Sequence, residues 1–159
     1  MPDRRTPLDL VDERETLVQF LDYLRESVAI KADDLDEPAA RRSTVPSGTS
    51  LLGLVKHLTA VEVLWFQYAF AGLDVDVPSD EITPSDTVES AVAAYRETWR
   101  TNDAIVADCE DLERVCRRAL TTPDPLSLRW VLVHMVEETA RHAGHADIIR
   151  EQIDGLTGR

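Results

Sequence analysis

The sequence predicts an all-α protein, a four-helix bundle built as a single domain over residues 1–159. Three observations carry that expectation. Apolar residues recur at helical spacing in four long segments, Pro- and Gly-containing stretches separate those segments, and no convincing alternating strand pattern occurs. Four amphipathic helices joined by loops satisfy their apolar faces by packing on one another. At 159 residues and 43% apolar content, the chain has material for one sizeable core.

The first helix is expected from about Leu10 to Asp34, with Leu17, Phe20, Leu21, Leu24 and Val28 on one face. Pro38 and the stretch from Arg41 to Gly48 then read as a connection. Thr49 or Ser50 can cap the second helix, whose stripe is Leu54, Leu58, Val61, Leu64, Trp65 and Tyr68, with Gly72 as its stop. Residues 73–84 are acidic, contain Pro78 and Pro84, and form a longer loop. Asp86 and Glu89 have the spacing of a capping box for the third helix, which continues to about Cys109 or Leu112. Thr121–Pro125 breaks the chain again. Ser127 can cap the fourth helix, and Gly155 ends it.

A net charge of −13 argues against nucleic acid and anionic membranes as partners, because both demand a basic surface. The apolar runs are too short to span a bilayer, and the N-terminus has no apolar run of the secretory kind. A cytoplasmic location is therefore expected. Cys109 and Cys116 match no zinc motif and read as structural thiols.

The fourth helix carries Glu138 and His142 four residues apart, so both side chains leave one face. Val131, Met135, Glu138, His142 and Ile149 fall within a sector of about 60°. The carboxylate and imidazole thus sit in the apolar stripe. On the second helix, His57 lies between Leu54 and Leu58 and also points inward. A buried carboxylate without partners costs several kcal/mol or so, and two compensations stand open. One is a hydrogen-bonded Glu138–His pair joining two helices. The other is a divalent cation, which satisfies two imidazoles and a carboxylate together and is commonly held by such ligands. His134, four residues before Glu138, makes a one-helix ligand set conceivable, but ligands in a row along one helix cannot easily surround a tetrahedral ion. His57 is therefore the expected third ligand. His145 is expected to stand behind the ligands in support, with Glu137 and Arg141 as solvated neighbours.

These residues resemble the DinB-like (YfiT-like) metal-binding four-helix bundles, and within them the actinobacterial mini-circle group. The likeness rests on Ser47–Leu58, which ends in Lys56-His57-Leu58, on the aromatic-rich helix after it, and on His134–Asp147 through Gly155. In that family a second-helix His and two ligands four apart on the last long helix hold the metal, which implies His57, Glu138 and His142 here. The common family pattern has His where this chain has Glu138. The His-Glu-His version is similar to the metal site of mycothiol-dependent maleylpyruvate isomerase, which carries a further C-terminal domain. The resemblance implies mycothiol or a related thiol as cosubstrate and an electrophilic small molecule as its acceptor.

Two classes of function follow. As an enzyme, the protein would leave one metal position open for a thiol, making it an S-transferase, or for water, making it a small hydrolase. As a non-catalytic metal-stabilised stress-response or binding module, it would close the site with a fourth ligand, for which His145 is the available residue. Zn2+ suits the mixed ligands first, with Ni2+ and Fe2+ as alternatives. Trp65, Phe66, Tyr68 and Phe70 crowd the end of the second helix over too wide an arc for one core, so an exposed aromatic surface and a homodimer are expected.

Overall fold

The computed structural model describes residues 6–7, 11–120 and 125–157. They form the expected all-helical bundle: α1 (Glu13–Asp33), a short α2 (Glu37–Arg41), α3 (Leu51–Glu62) running on into a π-helical segment (Val63–Phe70), α4 (Val88–Ala107) and α5 (Leu128–Asp154). The proposed helix start at Leu10 and the break at Thr121–Asp124 lie outside the described residues. Beyond the helices, one isolated antiparallel bridge joins Val115 and Ser127.

Local chemistry sets the helix ends. Asp12, Ser50 and Ser127 each accept a hydrogen bond from a first-turn amide, and Gly155 stops α5 at φ +77°. α4 departs from expectation at its start. Thr87 and Ser90 form its capping box, whereas Asp86 turns back to accept from the Thr83 amide and from Lys56 Nζ. α4 also ends at Ala107, short of Cys109. Pro38 does not hold the chain open after α1. It occupies the first turn of α2, where a missing N–H costs nothing, and Asp36 caps that helix.

α1 packs chiefly on α5 and α3 chiefly on α4, while α1 and α3 border each other, so α4 and α5 occupy opposite corners. The apolar interior has two parts. One gathers Val28, Leu52, Leu58, Val92, Tyr95 and Ile149; the other gathers Leu21, Trp65, Phe66, Val106, Leu132 and Met135. Between them lies a polar layer. Arg25 of α1 grips Glu62 with two bonds of 2.7 Å, Asn102 of α4 donates to Glu62 Oε2 at 2.7 Å, and Gln67 donates to Asn102. Asp22 and Asp103 accept the remaining bonds of Arg25. Arg25 and Glu62 are 1% and 0% exposed.

Three of the four aromatics expected to leave an exposed surface are buried, and Tyr68 is half-buried. Trp65, Phe66 and Phe70 are 7%, 0% and 4% exposed. In an α-helix these three would spread over about 140°. Here the bonding is i→i+5, as from the Ala71 amide to the Phe66 carbonyl, and the wider turn draws them together. Residues 109–120 cover them. The amides of Arg117 and Arg118 donate to the carbonyls of Phe70 and Ala69, and the Arg118 guanidinium lies 4.3 Å above the Tyr68 ring. These contacts cover Trp65, Phe66 and Phe70 from within the chain. Cys109 is buried, Cys116 is half-buried, and both are free thiols. Burial pushes the Cys116 thiol up, which keeps it protonated and unreactive near neutrality. Among the described residues no helix is long and apolar enough to cross a membrane.

Candidate metal centre

The site lies where α3 meets α5, on one side of the polar layer. Leu54 and Leu58 are buried in the interior and carry His57 to the rim of the bundle. Met135, Thr139 and Ala143 fix the buried side of α5, which leaves Glu138 and His142 half-buried beside His57. The inward orientation expected for all three is therefore partial. Glu138 and His142 side chains are 12% and 15% exposed, and His57 is 35% exposed.

Glu138 Oε1 is the meeting point. It stands 3.4 Å from His57 Nε2 and 3.1 Å from His142 Nε2, and one ligand atom from each of the three residues falls within 4.8 Å of the others. The two imidazole rings meet edge to face at 4.9 Å. Metal–nitrogen and metal–oxygen bonds of about 2.0–2.2 Å place tetrahedral ligand atoms a little over 3 Å apart, so this spacing and donor set fit a divalent cation. Arg141 is not merely a solvated neighbour. It donates to Glu138 Oε2 at 3.1 Å and also pairs with Glu137, which leaves Glu138 Oε1 to the two histidines.

The remaining histidines separate clearly. His134 lies between two indoles, stacked on Trp130 at 4.9 Å and edge-on to Trp65 at 4.9 Å, so it takes no part in the cluster. His145 is exposed, with its Nδ1 3.4 Å from His142 Nδ1, on the ring edge opposite the one that faces Glu138. Two contacts lie beyond the expected ligand set: Asp80 Oδ2 lies 3.1 Å from His57 Nδ1, and Arg141 reaches Glu138. The first joins a loop to a helix and has no local spacing signal. The second is an i,i+3 pair that the sequence does display.

A cavity of about 470 Å3 opens beside the cluster, walled by residues 47–50, Leu54, Ile82, His142 and His145. Gly53 also lines it, and a Cβ there would come 3.2 Å from Ser50 Oγ. The cluster is thus reachable from solvent by a small molecule.

Charge at the site suits a cation. Burial pushes the His142 imidazole below its usual 6.5, against the raising pull of Glu138. Burial also pushes the Glu138 carboxyl up, but the His57 hydrogen bond and the His142 and Arg141 contacts outweigh it and hold the group below its usual 4.5. Near neutrality the site offers a carboxylate and a neutral His142. Both groups bind protons less readily in the folded chain than in the unfolded one, so each adds stability above its usual value that is lost on acidification. The denaturation midpoint of the metal-free protein should therefore begin to fall as pH drops through 6.5, and fall further below 4.5. In His142→Gln the upper decline should disappear. A parent midpoint that stays flat across the upper interval would contradict the assignment.

A helical bundle with a two-histidine, one-carboxylate cluster at the mouth of a cavity agrees with the family match, which places the chain among the DinB/YfiT-like proteins. Residues 16–155 match the family model of the mycothiol-S-transferases, and the chain belongs to that family. In fold it is similar to a conserved protein from Enterococcus faecalis whose crystal structure aligns with a TM-score of 0.64 at 16% identity, over 92% of this chain and 100% of that one. No curated protein matches the sequence significantly.

Proposed function

We propose that the protein is a divalent-metal-dependent S-transferase that joins a low-molecular-weight thiol of the mycothiol type to an electrophilic small molecule. The observation that carries this reading is Glu138 Oε1 lying within hydrogen-bonding reach of both imidazoles, beside a cavity open to solvent. Membership of the mycothiol-S-transferase family supports the thiol. In this reading His57, Glu138 and His142 hold the cation, with zinc as first choice and nickel or iron(II) compatible with the same donors. Bound there, the ion supplies Lewis acidity that lowers the pKa of a thiol brought beside it.

The chain's own residues supply position. Arg141 restrains one oxygen of Glu138, so the other points between the histidines. The cavity wall from Ser47 to Ser50 bounds the space where thiol and acceptor meet. In the transfer, the thiol S–H gives its proton to solvent and a sulfur lone pair forms the new bond to the acceptor carbon. The electrons of the broken bond leave with the displaced group or shift within the acceptor.

A closed, non-catalytic site is disfavoured by His145, which addresses the Nδ1 edge of His142 and not the Nε2 edge shared with Glu138. Absorption spectroscopy of the cobalt-substituted protein tests the proposal. Adding mycothiol should produce a near-ultraviolet sulfur-to-cobalt band. A spectrum indifferent to thiol would argue against the transferase and favour water activation, to be followed by a hydrolase assay.

A further inference from the structure

Asp80 belongs to the loop after the π-helical segment, yet its Oδ2 stands 3.1 Å from His57 Nδ1 while the other ring nitrogen faces Glu138. A neutral imidazole has one proton to place on either nitrogen. A carboxylate oxygen 3.1 Å from Nδ1 favours the proton there, in competition with Glu138 Oε1 at 3.4 Å from Nε2. A cation at the cluster would need the Nε2 lone pair and so would side with Asp80.

The loop is held for this contact. Lys56, the residue immediately before His57, donates its ammonium to the Glu81 carbonyl and to Asp86 Oδ2 at 2.6 Å. Asp86 in turn accepts from the Thr83 amide at 2.6 Å and from the Thr83 hydroxyl at 3.1 Å. The Lys56 hydrogen bond, with those from Thr83, draws the Asp86 carboxyl down to about 2, so the clasp stays charged across ordinary pH. Ile82 packs against the apolar interior between the two fastenings. Consecutive residues of α3 thus do two jobs: Lys56 pins the loop, and His57 meets the carboxylate that the pinned loop presents.

We propose that Asp80 is a positioning residue that sets the tautomer and orientation of His57, making the loop after the π-helical segment part of the metal site. The inference rests on the metal reading given above. Supporting hydrogen bonds of this kind carry about 10–100-fold in metal affinity, and the 59% exposure of the Asp80 side chain places it at the low end.

Two measurements on the full chain test it. Cobalt(II) affinity is read by competition with a chromophoric chelator, and the His57 tautomer is read from imidazole 15N shifts of the metal-free protein at mildly alkaline pH. Asp80→Ala should weaken cobalt binding by about 10-fold and move the His57 proton to Nε2, where Glu138 Oε1 accepts it. Asp80→Asn keeps an acceptor oxygen, so it should retain the Nδ1–H tautomer and recover part of the affinity. An affinity in Asp80→Ala equal to the parent's overturns the proposal. So does a weakened affinity with the tautomer unmoved, which would reduce Asp80 to a distant charge. A parent that takes up no cobalt overturns the metal reading instead, and the metal-free tautomer then decides alone whether Asp80 sets His57.

Discussion

Glu62→Ala should remove about 3 kcal/mol of folding stability, the lower end of the ~3–5 kcal/mol expected when one partner of a buried ion pair is lost. The Arg25 guanidinium cannot shed its charge, and the change deprives its Nε and one Nη of their 2.7 Å acceptors. Asn102 loses its Oε2 acceptor as well. The other Nη keeps Asp22 and Asp103, which holds the effect below the top of the range. Against a total stability of roughly 5–15 kcal/mol, such a loss brings the protein near unfolding. Glu62→Gln preserves shape and one acceptor and should cost less. Urea denaturation of the two variants checks the order, and a loss under about 1 kcal/mol for Glu62→Ala would show that the pair is solvated. The effect should reach the site too. Glu62 lies on the same helix as His57 and ties it to α1 and α4, so slack there frees α3 to turn.

That pair shows where the sequence was legible and where it was not. Glu62 continues the Leu54, Leu58 stripe at i+4, just as Glu138 continues Val131 and Met135. Both carboxylates were therefore visible as charges on apolar faces. Glu138 has a histidine following it at i+4, whereas Glu62 finds its partner 37 residues away on α1. Periodicity shows which way a side chain points and is silent on what it meets. The π-helical segment was hidden for a related reason. Counting at 100° per residue assumes the bonding that this stretch abandons, so the arc assigned to its aromatics was too wide. The capping box of α4 slipped by one residue because Asp86 had a stronger claim on it, the Lys56 ammonium, through a contact made only in three dimensions. By contrast, Ser50, Ser127 and Gly155 act on their immediate neighbours, and local sequence points to Ser127 and Gly155 outright and to Ser50 as one of two candidates beside Thr49.

His142→Ala should abolish most metal binding while leaving the helices in place. In the proposed site the side chain would supply one of three ligand atoms; it is 15% exposed, and its hydrogen-bond partners are Glu138 and His145 at the site itself. Its removal subtracts a ligand, so the affinity loss should exceed the ~10–100-fold typical of supporting contacts. His57→Ala should do the same, because its Nε2 shares Glu138 Oε1 from the opposing helix. Glu138→Gln keeps the shape but removes the charge that attracts the cation, and it should fall between these variants and the parent. His134→Ala is the discriminating control. Its ring is enclosed by Trp65 and Trp130, so its loss should lower stability through lost aromatic packing and leave metal content unchanged. Elemental analysis of the purified variants, with far-ultraviolet circular dichroism to confirm helicity, gives the comparison. Full metal occupancy in His142→Ala would sink the ligand assignment. Normal occupancy in His57→Ala combined with loss in His134→Ala would move the site to α5 alone, where three ligands in a row face the geometric objection that a straight helix cannot wrap a tetrahedral ion.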